Sequence, residues 1–429
     1  MLRPLSSFPI SRAFLNPQLL NFKIENPFYL LHTNAEITIL GRRFKIDGFP
    51  FSSQDGEYLR CAEISLWSIF EYYGKRYSNY RTVLPHEFLN HIDKFNPERI
   101  LPSKGMNYLE KSKILKQFGF YPVVYHFENI GRFNRCRKYK NIFHLYVESG
   151  IPISMSLISM NKRISHATVC IGHGIISYDD EDKIKYDIKN TNDDYTITFV
   201  DSSELINDYV IMDDNSIPYR LDRFNLFSTY VLPLKQFIVP LHKKVHIEAV
   251  QVYEWFNILT KRFIKVINDY LTSSSVSDPI VVRRIFLTNS DKYRTYRVEN
   301  SKSNIEKQFY GNITFSEFIW VMEMSELKSY KNYNQNNGDY SVFGEFIIDA
   351  ASNSLNLDDS VISVRIGNNV GYRFFSESFL DSDENVKSNI DDINRSNVTY
   401  MKCFKGINDF PTEFAKFSHN LYMVNNLHT

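Results

Sequence analysis

The residues with the clearest potential for chemistry lie in the stretch QDGEYLRCAEISLWSIFEYYG, which runs from Gln54 to Gly74. Apolar side chains recur at helical spacing after Cys61, which predicts a helix over residues 61–73 with Gly74 just beyond its last turn. A cysteine sulfur in the first turn of a helix lies near unpaired backbone N–H groups, which favour the nucleophilic thiolate. Free cysteine is also among the most buried residue types, so Cys61 alone does not distinguish a nucleophile from a core residue.

A cysteine nucleophile needs a histidine as base, a group that orients this histidine, and donors for the oxyanion. His166 opens the strand-like segment HATVCIGHG, and Asp213 and Asp214 close the strand-like segment DYVIMDD. Successive residues of a strand point to opposite faces, so only one of the two aspartates should face the histidine. Gln54 lies seven residues before Cys61 and could donate its side-chain amide to the oxyanion beside the Cys61 backbone N–H.

The order of these segments resembles that of the papain-like cysteine peptidases, nearest to the branch that includes the bacteriocin-processing peptidases. The matching segments, within about residues 45–220, are the glutamine and the helix-starting cysteine, the helical stretch KGMNYLEKSKILKQFG, the strand GIPISMSLIS, the His-Ala strand and the aspartate after the next strand. The resemblance implies an α+β papain-like fold. In it Cys61 is the nucleophile, His166 the base, Asp214 the orienting group and Gln54 an oxyanion donor.

Two of these roles have alternative residues close by in the sequence. Asp214 is preferred to Asp213 because the family residue lies where the strand enters its turn. His173 follows the same strand as His166, but the His-Ala pair and the later glycine favour His166. Cys170 would lie about 13 Å from His166 at ~3.3 Å per strand residue, which predicts a core residue instead of a second nucleophile.

The cysteines at 61, 136, 170 and 403 form no Cys-x-x-Cys pair, so neither a zinc site nor a disulfide framework is expected, and no other motif indicates a metal or cofactor. An acidic cluster at 179–182 is interpreted as a solvated hairpin tip. The chain has 50 Lys and Arg against 49 Asp and Glu, without the basic excess of a nucleic-acid-binding protein. No signal peptide and no run of ~20 apolar residues are found, so a cytoplasmic protein without a membrane span is expected.

The small, polar stretch TSSSVSDP at 272–279 is interpreted as a linker. It divides a papain-like domain over 1–271, which ends in a long helix over 246–271, from an α+β domain of unknown role over 280–429. The expected function is a cysteine peptidase that cleaves peptide or isopeptide bonds of a protein or peptide substrate through a thioester. Two alternatives remain. One is a cysteine-dependent acyltransferase, and the other is a sensor or binding module with a protein partner on the C-terminal domain.

Overall fold

The structure is a computed structural model of the 429-residue chain. It describes residues 10–20, 28–54, 61–93, 106–126, 137–159, 161, 164–175, 188–192, 195–224, 226–228, 230–273, 279–331, 340–372, 405–406, 410–418 and 420–424.

In chain order the strands are β1 (Ala13–Leu15), β2 (Phe28–Leu30), β3 (Thr33–Ile39), β4 (Arg42–Phe51), β5 (Phe120–His126), β6 (Ile153–Ile158), β7 (Ser165–Gly174), β8 (Ile188–Asn192), β9 (Tyr195–Asp201), β10 (Asp208–Met212), β11 (Arg220–Arg223), β12 (Leu234–His242), β13 (Ile280–Asn289), β14 (Phe318–Glu326), β15 (Ser341–Val342), β16 (Gly344–Asp349), β17 (Val361–Ile366), β18 (Asn369–Tyr372), β19 (Lys405–Gly406), β20 (Phe414–Ala415) and β21 (Tyr422–Val424). The helices are α1 (Pro17–Leu20), α2 (Cys61–Arg76), α3 (Pro85–Asp93), α4 (Tyr108–Gln117), α5 (Arg137–Glu148), α6 (Ser202–Leu205), α7 (Ala249–Arg262), α8 (Ile264–Ser273), α9 (Ser290–Asn300), α10 (Asn304–Asn312), α11 (Leu327–Lys331) and α12 (Leu357–Ser360).

These elements confirm the α+β class, and they form two compact units. The first unit contains residues 1–177, 206–243 and 420–429, and the second contains 178–205 and 244–419. This division differs from the predicted one, because residues 178–205 and the helical region after 243 belong to the second unit. The predicted linker lies mostly at 274–278, outside the described residues.

An antiparallel sheet in the order β11-β10-β7-β6-β12-β5 forms the centre of the first unit, with β2 also paired to β7 and β21 to β2. Helix α2 packs against β7 and β4. Its apolar side chains enter a core rich in aromatic rings, where Phe70 contacts Phe88, Phe118 and Phe120. Four elements lie where the sequence predicts them, namely β6, β7, β10 and α4. Their local patterns are unambiguous, and Gly119, at φ 93°, ends the turn after α4.

Helix α2 continues to Arg76, so the prediction that Gly74 follows its last turn was wrong. A Cβ atom added at Gly74 would lie 2.3 Å from the backbone nitrogen of Thr82. Glycine is therefore present because the chain at 81–82 passes close to the helix, and not because the helix ends there.

The second unit is built on a sheet in the order β19-β18-β17-β16-β14-β13-β9-β8. Its β9 and β13 are parallel, which joins the two sequence segments of this unit in one sheet. Across the sheet, Arg284, Glu323, Glu345 and Arg365 stand opposite one another on successive strands, and all four are buried. The predicted long helix at 246–271 is two helices, α7 and α8, which meet at Phe263.

In the part of the chain that the structure describes, no helix combines the length and apolar character needed to cross a membrane.

Candidate active site

Cys61 is the first residue of α2 and is half-buried. Helix α2 continues with Glu63 in its first turn, where a carboxylate interacts favourably with the helix dipole. The backbone N–H groups of a first helical turn have no partner within the helix. Cys61 thus lies in the first turn of α2, as the sequence predicts.

His166 is the second residue of β7, and 6% of its surface is exposed. Its Nε2 atom lies 2.8 Å from Oδ1 of Asp213. The Cys61 thiol is also close enough to the imidazole to raise its pKa. The structure therefore brings Cys61, His166 and Asp213 together, with His166 hydrogen-bonded to Asp213.

The structure favours Asp213 over the predicted Asp214 as the partner of His166. Strand β10 ends at Met212, which pairs with Val169, so the residues that follow run along the start of β7. Both aspartates lie beyond the strand, where the alternation used in the prediction no longer applies. The Asn215 N–H donates to Oδ1 of Asp213 at 3.0 Å, which fixes this carboxylate.

Asp214 lies on the other side of the same turn and is 5% exposed. Its Oδ1 atom is 3.5 Å from Nε2 of His166, which is longer than a normal hydrogen bond. Neither oxygen accepts a hydrogen bond from another residue in the described ranges. Asp214 is therefore close to the histidine but is not hydrogen-bonded to it.

The environment separates the protonation states of these neighbours. Burial disfavours the charged form of His166, but the hydrogen bond with Asp213 and the interaction with Cys61 outweigh burial and raise the pKa of His166 to about 10. Burial also acts against ionised Asp213, yet the hydrogen bond and positive charge of His166 leave its pKa lowered. Burial, more than repulsion by Asp213, raises the pKa of Asp214 to about 7. At neutral pH His166 is cationic and Asp213 anionic, a polarisation that suits acid–base chemistry.

Gln54 lies at the same turn, as its side-chain amide donates to Oδ1 of Asn215. Asn215 follows the two aspartates directly, so Gln54 is held beside the group that pairs with His166. One N–H of the Gln54 amide contacts Asn215, which leaves the second N–H for another acceptor. Residues 55–60, between Gln54 and Cys61, are outside the described residues.

The alternative base His173 belongs to a different cluster. Its Nδ1 atom is 2.6 Å from the carbonyl oxygen of Gly174, and its Nε2 atom is 3.0 Å from Oε2 of Glu148 on α5. The structure thus places His173 in a buried contact with Glu148 and not with Cys61. Cys170 is fully buried, and burial raises the pKa of its thiol, as suits the predicted core residue.

Sequence analysis missed two groups near the site. Lys111 on α4 is 1% exposed, its Nζ atom lies 3.3 Å from Oγ of Ser154, and burial lowers its pKa to about 8 despite attraction by Cys61 and Glu63. The side chain of Ser228 interacts with Asp213 and favours the anion of this carboxylate. Both come from segments remote in sequence, and nothing in their local pattern indicates a functional role.

His166, Asp213 and Asp214 each offer a ligand atom, and these atoms lie within 4.8 Å of one another, so the three could share a metal ion. The direct contact of 2.8 Å between His166 and Asp213 is a normal hydrogen-bond distance, with a proton between the two atoms. This hydrogen bond accounts for the proximity of these two side chains.

No protein-family model, no curated protein and no solved structure matches this chain.

Proposed function

We propose that this protein is a cysteine peptidase that hydrolyses a peptide or isopeptide bond. The observation that carries this proposal is the meeting of three side chains: the imidazole of His166 is hydrogen-bonded to the Asp213 carboxylate and lies close to the thiol of Cys61 in the first turn of α2. A nucleophile, a base and an orienting group in hydrogen-bond contact are the requirement of acyl transfer through a thioester. The same residues are the ones that the resemblance to papain-like peptidases identifies, with Asp213 in place of Asp214.

In the proposed reaction the Cys61 thiolate attacks the carbonyl carbon, and a C–S bond forms as the carbonyl oxygen becomes an oxyanion. The Cys61 backbone N–H and the free amide N–H of Gln54 are the proposed donors to this oxyanion. The oxyanion collapses, the C–N bond breaks, and the imidazolium of His166 gives its proton to the leaving amine. Water then attacks the thioester as His166 accepts a proton, and the acid product leaves with the Cys61 thiolate restored. If an amine replaces the water, the same residues catalyse acyl transfer.

The test is the rate at which limiting iodoacetamide labels each cysteine at pH 7, followed by peptide mapping. We expect Cys61 to react at least about tenfold faster than free cysteine, because a paired thiolate is the reactive form. We expect His166→Ala to remove this advantage and His173→Ala to keep it. Cys170 is an internal control: it is fully buried, so it is labelled only when the protein unfolds.

The proposal is contradicted if Cys61 is labelled no faster than Cys136 or Cys403 while Cys170 stays protected. That result would favour a binding or sensor module. Given a reactive Cys61, a mixture of unstructured peptides incubated with the protein and with Cys61→Ser distinguishes the two reaction outcomes. New peptide termini indicate hydrolysis, and amide products with an added amine indicate acyl transfer.

A further inference from the structure

A small cavity, partly open to solvent, adjoins Cys61 and has an enclosed volume of about 10 Å³. It lies among the first turns of α2, the end of β4, the start of β7 and the turn after β10. Its polar lining consists of Ser52, Ser65, Ser68, Thr168 and Asp214. A cavity of this size holds about one water molecule, so it fits the head of one functional group and not a whole ligand.

The serine hydroxyls around this cavity use their protons elsewhere. Ser52 donates to the carbonyl oxygen of Ser53 at 3.1 Å, and Ser65 donates to that of Ala62 at 2.8 Å. Ser68 donates to the carbonyl oxygen of Ser65 at 3.0 Å. Each hydroxyl oxygen keeps lone pairs that can accept. The three serines therefore add acceptors to the lining and no free donor.

Asp214 and Thr168 have unused hydrogen-bonding capacity in the same cavity. They are 5% and 1% exposed, and within the described part of the chain neither the two Asp214 oxygens nor Oγ1 of Thr168 has a hydrogen-bond partner. A buried polar group without a partner costs about 1–3 kcal/mol, and more when it is charged. Both groups line the cavity that Cys61 lines, so a ligand in this cavity would satisfy them together.

The chemistry of the lining selects the ligand. An excess of acceptors requires a group with several donors. The charges of His166 and Asp213 offset each other, so an ionised Asp214 leaves a net negative charge that favours a cation and repels an anion. A primary ammonium carries three N–H donors and one positive charge on a compact head. Phe51, Ile64 and Met212 are among the apolar residues of the lining and can contact the carbon that carries such a head, while the rest of its chain lies in the open mouth of the cavity.

We propose that this cavity is a subsite for a primary ammonium group of the substrate, held by Asp214 and Thr168 beside the Cys61 sulfur. This assignment deepens the proposed peptidase function and rests on it. It makes Asp214 a residue that determines specificity, while Asp213 remains the partner of His166. The substrate would carry a lysine side chain, a shorter amine or a free amino terminus close to the scissile carbonyl.

Four methanethiosulfonates that differ in one substituent can test this subsite on Cys61 directly. The thiolate attacks the thiosulfonate sulfur, a mixed disulfide forms and methanesulfinate leaves. The substituents are methyl (neutral), 2-aminoethyl (a primary ammonium), 2-(trimethylammonio)ethyl (a cation without N–H donors) and 2-sulfonatoethyl (an anion). For each charged reagent, the rate with Cys61 is divided by the rate of the methyl reagent with Cys61, which removes the effect of thiol ionisation. The result is then divided by the same quotient measured with glutathione, which removes differences in reagent reactivity. This final value is the ratio of that reagent.

For the wild-type protein we expect the 2-aminoethyl ratio to be about tenfold or more above the 2-sulfonatoethyl ratio. It should also be about threefold or more above the 2-(trimethylammonio)ethyl ratio, because only the primary ammonium can form charge-assisted hydrogen bonds. In Asp214→Asn the three ratios should differ from one another by no more than about twofold. Thr168→Val, which keeps the side-chain shape, should lower the preference for 2-aminoethyl by about two- to threefold. Asp208→Asn removes a carboxylate from β10 outside the cavity lining and is the matched control, with ratios as in the wild type.

The proposal is overturned if Cys61 shows no preference for the 2-aminoethyl reagent, or if Asp214→Asn and Thr168→Val both keep the wild-type preference with Cys170 still protected. Equal preference for the two cations also overturns it, because a general negative field would then explain the selectivity. Failure of the peptidase proposal looks different. In that case Cys61 reacts with the methyl reagent at the rate of a free thiol, and His166→Ala leaves this rate unchanged.

Discussion

Asp213 and Asp214 have the same side chain and adjacent positions, yet their surroundings differ. Asp213 accepts hydrogen bonds from His166 and from the Asn215 N–H, both of which stabilise its anion. Asp214 is buried in a cavity wall without such donors among the described residues. When the surroundings drive the pKa values of two neighbouring carboxyl groups apart, the two groups can have different roles in one site.

The first prediction separates the two aspartates by mutation. Asp213→Asn should lower the rate constant for Cys61 acylation by an activated ester by about 100-fold or more, because the amide can hold His166 in the wrong tautomer. Asp214→Asn should lower the same rate constant less than tenfold for an uncharged ester. The measurement is the single-turnover rate at pH 7. A larger loss with Asp214→Asn would restore the original assignment of Asp214 as the orienting group.

The second prediction concerns stability and pH. The pKa of Asp214 is raised to about 7 in the folded protein. As the pH rises, Asp214 therefore loses its proton in the unfolded chain before it does so in the folded protein. The free energy of unfolding consequently decreases from about pH 4 to pH 7. Asp213 acts in the opposite sense, because its lowered pKa adds stability above its unfolded pKa that is lost in acid. The raised pKa of His166 adds stability that is present below about pH 6.5 and is lost as the pH rises through about 10.

Asp214→Asn removes one of these three contributions. Between pH 5 and pH 8 the free energy of unfolding of the wild type should therefore fall relative to that of Asp214→Asn, by on the order of 2–4 kcal/mol. Urea unfolding of both proteins at the two pH values measures this difference, and exposure of Cys170 reports the first unit. Parallel pH dependence in the two proteins would show that Asp214 does not titrate across this interval.

At the scale of single elements, helix α2 shows where local sequence patterns stop being sufficient. The pattern predicts the helix and its start at Cys61, because apolar spacing is a local property. The role of Gly74 depends on the chain at 81–82, and no local pattern describes that approach. In the same way, the order of segments predicts that Cys61 and His166 lie together, while the choice between Asp213 and Asp214 depends on where β10 ends and on the turn that follows.

The third prediction compares two helical glycines. Gly74→Ala should destabilise the first unit by at least about 1–3 kcal/mol, because the new Cβ atom would overlap the Thr82 backbone nitrogen. For Gly311 in α10, no described residue outside its own turn of the helix has an atom within 4 Å of an added Cβ. Gly311→Ala should therefore be neutral or stabilising by up to about 1 kcal/mol, as helix propensity favours alanine. Thermal unfolding of the two variants checks both values, and stabilisation by Gly74→Ala would refute the close approach.

At the scale of the whole molecule, pairing between strands decides which segments belong together. A local pattern indicates a strand but not its neighbour, so nothing at 195–201 predicts that β9 pairs with β13 about 80 residues later. The buried row of Arg284, Glu323, Glu345 and Arg365 is equally invisible in sequence, since its charges balance only once the register is known. The sequence therefore indicates the α+β class and most elements, but not the division into units.

The fourth prediction tests this division. A chain ending near residue 277 keeps β9, α7 and α8 but lacks β13, so the second unit should not form and its remaining apolar surface should cause aggregation. The boundary predicted from sequence instead implies that such a fragment keeps a folded domain with a reactive Cys61. Size-exclusion chromatography and circular dichroism of the fragment provide the measurement. A monomeric, cooperatively unfolding fragment would support the boundary predicted from sequence.

The fifth prediction concerns β21. Removing residues from 420 onward deletes the strand that pairs with β2, and it also removes Asn420, whose backbone lies against Gly150. We expect this truncation to destabilise the first unit and to speed labelling of Cys170 by about tenfold or more, which corresponds to about 1.4 kcal/mol or more of lost protection. The matched control ends at residue 424 and keeps β21. Equal labelling of Cys170 in the two truncations would show that β21 adds little.

The position of β21 has a consequence for the order of events on the ribosome. The strands β5, β6, β7, β10 and β12 are translated by residue 242, but their unit receives β21 only after the second unit has been synthesised. At about 5–20 residues per second, that interval lasts roughly 10–40 s. During this time β2 leaves the ribosome with one edge unpaired, and such an edge can pair with other chains. Nascent chains stalled in this interval should therefore bind chaperones that recognise exposed strands, and release should coincide with the emergence of residues 420–424.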